Sequence, residues 1–142
     1  MNSEPFVIER LYNASPARVW KAITDKDEMK QWYFSLADFK PEVGFEFSFE
    51  GNDNGKIFVH LCRVTEVIAE KKLAYSWTYK EFEGYSEVSF ELFAEGAGTR
   101  LKLTHTGLET FPKNNPSFAR ESFAKGWTFI VGQSLPEFLE KA

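Results

Sequence analysis

Two histidines and one cysteine, His60, Cys62 and His105, are the side chains of this 142-residue chain best suited to proton transfer or metal binding. His60 and Cys62 are two residues apart in an apolar segment, so a regular strand places both on one face. Two ligands fall short of the three or four that zinc sites use, and this spacing alone does not bring a thiol within hydrogen-bond distance of an imidazole. The sequence therefore predicts no metal site, no cofactor and no catalytic residue.

His105 lies in the segment LKLTHT, residues 101–106, whose alternation predicts a strand with Leu101, Leu103 and His105 on its apolar face. A histidine in such a place is either a buried, hydrogen-bonded structural residue or a polar group that contacts a ligand in a cavity. The sequence leaves both interpretations open. A role in acid-base catalysis has less support, because no second catalytic group is evident.

Charged side chains offer little further chemistry. The motifs G-x-S-x-G and G-x-x-x-x-G-K-[ST] do not occur in the chain. Arg63 and Glu66 are candidate interior charges, but their segment is apolar on both faces, so the sequence does not decide which way they point. An enzyme working in a cavity would use His105, Arg63 and Glu66, and this stays an alternative.

The composition excludes several classes of partner. The net charge is −4 and the basic residues are scattered, which argues against nucleic acid and against anionic membrane surfaces. No apolar run approaches the roughly 20 residues of a membrane span, so we expect no membrane insertion. Cys62 has no intrachain partner, and the start MNSEPFVIER does not resemble a signal peptide. These features predict a cytoplasmic location.

The periodicity of apolar residues predicts strands and three helices. A first helix over 13–24 begins with the capping residue Ser15 and with Pro16 at its first position. A second, short helix follows over 25–32, and a long one begins at Asn115-Pro116 or Ser117. The predicted strands are 5–12, 44–51, 56–67, 73–79, 86–93 and 99–106.

These elements predict an α+β domain covering residues 1–142. Short turns between strands indicate an antiparallel sheet with one apolar face, and only the last helix is long enough to cover that face. A curved sheet wrapped around this helix buries the apolar surface and leaves a gap in which a ligand fits. The residues expected to line the gap are Phe47, Trp77, Tyr79, Phe90, His105 and Trp127.

The last helix contains three residues that disfavour helix. Gly126 and Gly132 each cost about 1 kcal/mol relative to Ala, and Pro136 costs about 3 kcal/mol. One interpretation is close packing against the sheet together with a kink near the end of the chain. The other is a helix that shifts and opens the pocket.

Five segments, in order, resemble the family of activator-of-heat-shock-chaperone-ATPase-like proteins. They are SPARVWKAIT, RVTEV, LAYSWTY, LTHTGL and the pair GW at 126–127. The resemblance covers nearly the whole chain. It implies membership of the START-related SRPBCC superfamily and the helix-grip fold of the birch-pollen allergens, with a curved six-stranded antiparallel sheet around a long C-terminal helix and two short helices after the first strand.

The resemblance also implies a function for the gap between the sheet and the C-terminal helix. Many members of the superfamily bind hydrophobic ligands, so the leading hypothesis is a small hydrophobic molecule held between the concave sheet and the C-terminal helix. One alternative is a protein-interaction module for a chaperone or stress-response partner, with Trp32, Tyr33 and Phe34 forming an exposed apolar patch. The other is a cyclase- or hydrolase-like enzyme in the same cavity.

Overall fold

Six strands form one antiparallel sheet in the order β1-β6-β5-β4-β3-β2. The computed structural model of the chain describes residues 5–34, 36, 38–53 and 55–141. The predicted α+β class and the curved six-stranded sheet are confirmed. The strands are β1 (Phe6–Tyr12), β2 (Glu46–Asp53), β3 (Lys56–Ile68), β4 (Lys72–Tyr79), β5 (Ser86–Glu95) and β6 (Gly98–Thr106).

Helices cover the concave face of this sheet. Two short ones, α1 (Pro16–Thr24) and α2 (Lys26–Trp32), follow β1, as predicted. The long C-terminal helix is continuous but not uniform, since α3 (Arg120–Phe129) passes through a π-helical turn (Ile130–Ser134) into α4 (Leu135–Lys141). None of the described helices is both long enough and apolar enough to cross a membrane.

Polar side chains cap the start of α1 and of a 3-10 turn that precedes α3. Ser15 Oγ accepts a hydrogen bond from the Arg18 N–H at 3.2 Å, which caps α1 at the predicted residue. Asn115 Oδ1 accepts from the Ser117 N–H at 3.0 Å, but this cap starts a single 3-10 turn. The α-helix therefore begins later than the predicted start, at Arg120.

The long strand β3 contains a β-bulge near its end, and the apolar residues of its outer face, Ile57, Val59 and Leu61, come before the bulge. Val64 pairs with Tyr75, whereas Glu66 pairs with Ala74, so one extra residue lies in β3 between these two pairs. From Ile57 to Val64 buried and outward-facing residues alternate, and after the bulge the alternation is lost. A bulge of this kind bends the strand and increases its local twist.

Arg63 and Glu66 do not point into the interior. Arg63 lies on the exposed face of β3, and its backbone N–H donates to Ser76 Oγ at 3.0 Å. Glu66 is partly exposed and forms an ion pair with Lys72 at 3.0 Å. The hypothesis that these two charges serve a catalytic cavity is therefore wrong, because both lie on the solvent side of the sheet.

The π-helical turn has a local cause. Pro136 carries no N–H to continue the regular helical hydrogen bonds, and the Leu135 N–H bonds to Ile130 O, five residues back. The Val131 carbonyl is then without its helical partner, and the Tyr12 hydroxyl donates to it at 2.6 Å. This bond ties the C-terminal helix to β1, because the irregular turn leaves a buried carbonyl that only a side chain from the sheet reaches.

Candidate functional site: a cavity between α3 and strands β2 to β4

A cavity of about 700 Å³ lies between α3 and one half of the sheet and is open to solvent on one side. Its volume falls within the range of about 300–1,000 Å³ that is common for small-molecule sites. The residues that line it are Phe34, Gly51, Asn52, Lys56, Phe58, His60, Trp77, Tyr79, Pro116, Ser117, Phe118, Ser122, Phe123, Lys125, Gly126, Trp127 and Ile130.

The sheet side of the cavity is a cluster of rings centred on His60. Its imidazole stacks on Phe49, with ring centres 4.4 Å apart and an angle of 13° between the planes. Trp77 packs edge-on and Tyr79 packs at a tilt against the same imidazole, with ring centres 4.8 and 4.7 Å away. The Trp77 indole N–H donates to the Tyr79 hydroxyl at 2.8 Å, so the polar atoms of this wall satisfy one another. The wall therefore presents mainly carbon to the cavity.

A second group of rings closes the cavity near the loop before α3. Phe118 comes from the 3-10 turn and packs against Tyr79 at 4.7 Å and against Phe58 at 5.4 Å between ring centres. Phe123 follows in α3 and stacks with Phe111 at 5.9 Å. These contacts fix the loop and α3 relative to β3 and β4, so the cavity is bounded by aromatic side chains on both sides.

Gly126 helps to keep the cavity open. It lies on the same helical face as Ser122 and Ile130, which are four residues away on either side and also line the cavity. A Cβ at Gly126 meets no atom within 4 Å, whereas one at Gly132 lies 3.3 Å from Arg10 Nε. Close packing therefore does not explain Gly126, and its lack of a side chain leaves space at the cavity.

His60 is a neutral part of the wall. Burial lowers the pKa of its imidazole to about 4, although hydrogen bonding to the backbone of Phe49 and Phe58 acts in the opposite direction. The ring is held in a narrow slot, because a Cβ on Gly51 would lie only 2.8 Å from its Cε1. At neutral pH the imidazole therefore adds no positive charge inside the cavity.

His105 lies behind this wall, in a chain of hydrogen bonds. The Trp127 indole N–H donates to His105 Nδ1 at 3.0 Å, so Nε2 carries the ring proton and donates to Ser86 Oγ at 2.9 Å. Ser86 in turn donates to the Trp77 carbonyl at 2.7 Å. Both nitrogens of His105 are thus engaged within the protein, as the structural interpretation of this residue expects.

The protonation state of His105 follows from its surroundings. The residue is 0% exposed, and burial, with a smaller effect of the charge on His60, lowers its pKa to about 3. A protonated ring would also carry an N–H at Nδ1, and this donor would face the indole N–H of Trp127 with no acceptor between them. The hydrogen bond from Trp127 therefore requires the neutral ring.

Three of the residues predicted to bind a ligand line the cavity: Trp77, Tyr79 and Trp127. The other three, Phe47, Phe90 and His105, do not appear among its lining residues.

The three residues outside the cavity lining are all buried in the core. Phe47 packs edge-on against Tyr75 and Phe39, at 5.1 Å in each case. Phe90 lies against Trp127, with ring centres 6.1 Å apart. They share the concave face with the lining residues, but other parts of the chain pack on them, Phe39 of the segment after α2 on Phe47 and Trp127 of α3 on Phe90.

Trp32, Tyr33 and Phe34 do not form the proposed exposed patch, because Trp32 is buried in the core and the other two are half-buried and pack against it. Trp32 is 3% exposed, and its indole N–H donates to the Ala22 carbonyl. The Tyr33 and Tyr75 hydroxyls are hydrogen-bonded at 2.7 Å. Phe34 stacks on Phe49 at 4.3 Å and reaches the cavity. Of the three residues, Phe34 lines the cavity, and Trp32 and Tyr33 pack within the protein.

Cys62 and His60 both lie on the buried face of β3. Burial raises the pKa of the Cys62 thiol, which keeps it protonated and a poor nucleophile. Within the described part of the chain, no group of three or more His, Cys, Asp or Glu side chains is arranged to hold a metal ion.

Sequence reasoning missed several cavity residues. The only sequence feature that could have indicated Phe58 and His60 is that both lie on the same face of β3. For Gly126 it is that glycine lowers the stability of a helix. Phe118 and Phe123 come from a loop and a helix start whose position relative to the sheet no local pattern reveals. Lys56 and Lys125 appear as ordinary surface lysines in the sequence.

Solved structures from several bacteria share this fold. Protein CV1439 of Chromobacterium violaceum is 18% identical, with a TM-score of 0.81 over 96% of this chain and 97% of that one. Protein MLL2253 of Mesorhizobium loti is 28% identical, with a TM-score of 0.70 over 97% and 95%. DynU16, a putative protein in the dynemicin biosynthetic locus, is 21% identical with a TM-score of 0.78, and the match spans 98% of this chain but 48% of DynU16.

No curated protein matches the chain. The family described as "Activator of Hsp90 ATPase homolog 1-like protein" matches residues 13–140. This match spans α1, α2, the C-terminal helix and five of the six strands, and the solved structures share the same fold. The chain therefore belongs to the activator of Hsp90 ATPase homolog 1-like family.

Proposed function

We propose that this protein binds a small hydrophobic molecule in the cavity between α3 and strands β2 to β4. The observation that carries the proposal is a wall of aromatic rings around about 700 Å³ of space that is open to solvent. Burial of apolar ligand surface against such rings contributes about 25 cal/mol per Å² before the cost of ordering the ligand. The proposal places the protein in a reducing compartment such as the cytoplasm, and the buried free thiol of Cys62 supports this.

The arrangement supports binding better than catalysis. His60 and His105 are the ionisable imidazoles near the cavity, and burial lowers the pKa of both well below neutrality. Both ring nitrogens of His105 are hydrogen-bonded within the protein. Arg63 and Glu66, the charged residues that a cavity enzyme would need beside it, lie on the outer side of the sheet. The cavity therefore has aromatic walls suited to binding and no imidazole suited to acid-base catalysis near neutral pH.

A chaperone-associated role is the second candidate, because the description of the family names an activator of Hsp90 ATPase. The rings expected to form its docking patch are part of the core, so this role requires a different surface. Calorimetric titration of purified Hsp90 with this protein tests it. Saturable binding supports the candidate, and an absence of heat at micromolar concentrations counts against it.

The cavity is tested with a neutral fluorescent probe, 1-pyrenebutanol. Trp77 and Trp127 line the cavity, so a bound pyrene quenches their fluorescence by energy transfer and the quenching saturates. Native mass spectrometry of freshly purified protein, compared with the denatured mass, tests in parallel for a ligand carried through purification.

Two variants of α3 make the test specific. Gly126→Leu places a side chain in the cavity and is expected to weaken probe binding at least tenfold. Thr128→Leu adds the same side chain at an exposed position outside the cavity and is expected to leave binding unchanged. Equal binding by the two variants, or no saturable binding to the wild type, would overturn the proposal.

A further inference from the structure

We propose that the ligand of this cavity is an amphipathic anion, with a flat apolar body among the aromatic rings and a carboxylate or similar acidic group at the mouth, between Lys56 and Lys125. This inference rests on the proposed function and adds the chemical class of the ligand. Its basis is the distribution of charge around the cavity.

The lining differs in charge from the rest of the protein. The chain has 21 acidic and 17 basic residues apart from histidine, yet the lining contains Lys56 and Lys125 and no Asp or Glu. An acidic protein thus has one opening whose only formal charges, among the described lining residues, are positive. Charge complementarity of this kind favours an anion over a neutral or cationic ligand of the same shape.

The two lysines approach the opening from different elements. Lys56 is the first residue of β3, and Lys125 lies on α3, so they border the cavity on its sheet side and on its helix side. Both are exposed. The ion pairs of the described residues involve other cations, Arg18, Lys21, Lys72 and Arg100, and neither Lys56 nor Lys125. Their charges are therefore not offset by a described carboxylate.

A polar group of the lining adds a donor at the same end. Asn52 is exposed on β2, and its Oδ1 accepts from the Gly55 N–H at 2.9 Å. The carbonyl side of this amide is thus engaged in the turn, which leaves the NH₂ group as the part that can bind a ligand. An NH₂ donor together with two ammonium groups matches the acceptor oxygens of a carboxylate.

The interior fixes the orientation of the ligand. The inner wall consists of rings whose polar atoms bond to one another, and His60 is neutral at pH 7 because burial lowers its pKa to about 4. A charge moved into this region loses its hydration without gaining a partner. The acidic group therefore stays at the mouth, and the apolar body enters.

Three probes with a common pyrene ring separate this inference from the proposed function: 1-pyrenebutyrate, 1-pyrenebutanol and 1-pyrenemethylammonium. We expect the wild-type protein to bind the carboxylate about three- to tenfold more tightly than the alcohol, which corresponds to exposed charge pairs worth up to about 1 kcal/mol each. The ammonium probe should bind most weakly. Raising the salt concentration from about 0.05 M to about 0.5 M should narrow these differences, because salt screens exposed charges.

The double variant Lys56→Gln/Lys125→Gln is expected to lose the preference for the carboxylate while it binds the alcohol as before. Lys30→Gln/Lys141→Gln removes the same charge from exposed positions outside the cavity and should keep the preference. Two results would overturn the proposal of an anionic ligand but leave the cavity as a binding site. One is equal affinity of the wild type for the carboxylate and the alcohol, and the other is an unchanged preference for the carboxylate in the Lys56/Lys125 variant. Failure of all three probes to bind would overturn the proposed function as well.

Discussion

The indole N–H of Trp127 donates a 3.0 Å hydrogen bond to Nδ1 of His105, and this bond joins the C-terminal helix to β6. Trp127 is 2% exposed and one face of it lines the cavity, while His105 lies behind it. The chain continues through Ser86 to the Trp77 carbonyl. The cavity wall and the core are thus connected by a buried polar network that runs from Trp127 to Trp77.

Replacing Trp127 with Phe is expected to destabilise the protein by about 1–3 kcal/mol, because His105 Nδ1 is left buried without its donor. Urea unfolding measures this change in the free energy of unfolding. Trp20→Phe is the matched control, since Trp20 is only partly buried and packs at the edge of the core. An equal decrease in the free energy of unfolding in the two variants would show that the Trp127–His105 hydrogen bond does not contribute to stability beyond the loss of indole packing.

The two histidines predict a loss of stability in mild acid. Their pKa values in the folded protein are lowered to about 4 and about 3, from 6.5. The unfolded chain therefore binds more protons than the folded one below pH 6.5, and the free energy of unfolding falls as pH decreases from 6.5 towards about 4. The expected slope is about 1.4 kcal/mol per pH unit for each histidine.

Urea unfolding between pH 7.5 and 5 measures this slope, and His105→Gln should reduce it. Nitrogen NMR of the wild-type imidazoles provides a check that does not depend on folding of the variant. Both rings are expected to remain neutral at pH 5, with His105 protonated on Nε2 only. Titration of either ring near pH 6.5 in the folded protein would contradict the prediction.

Replacing two glycines that line the cavity with alanine is expected to change the stability of the protein in opposite directions. Gly126→Ala is expected to stabilise the protein by up to about 1 kcal/mol, because its Cβ meets open space and alanine favours helix. Gly51→Ala is expected to destabilise it by about 1–3 kcal/mol, because its Cβ would lie 2.8 Å from the buried ring of His60. Thermal unfolding of both variants decides the signs, and a shift in the same direction for both would refute the prediction.

The bond between Tyr12 and Val131 should control the π-helical turn. Tyr12→Phe removes the donor to a buried carbonyl at 2.6 Å and is expected to cost about 1–3 kcal/mol. Tyr85→Phe is the control, because Tyr85 is 57% exposed.

Amide hydrogen exchange over residues 126–136 locates the effect of Tyr12→Phe, and we expect faster exchange there than in the wild type. The same measurement on the wild type tests whether the helix shifts to open the cavity. Exchange over 126–136 as slow as in the central strands would argue against such a motion.

Much of the fold follows from local sequence patterns. Alternation over 101–106 places Leu101, Leu103 and His105 on one face of β6, and all three are buried there. Ser15 and Pro16 determine the start of α1 in the same way. Such features depend on neighbours within a few residues, so periodicity and capping chemistry are enough to predict them.

The composition of the cavity wall was decided by tertiary structure. Which inward-facing rings meet open space and which are covered depends on how distant parts of the chain pack over the sheet. Trp77 and Tyr79 therefore line the cavity while Phe47 and Phe90 are packed, although all four alternate in the same way along their strands.

The sequence by itself determined the helix-grip elements, the faces of most strands and the presence of an apolar interior. Tertiary structure decided that Phe34 turns inward, that His105 is enclosed, and that Lys56 and Lys125 border one opening. The physical reason is the range of the interactions. Alternation and caps act between near neighbours, whereas a cavity is the space left when distant elements pack, and its shape depends on all of them together.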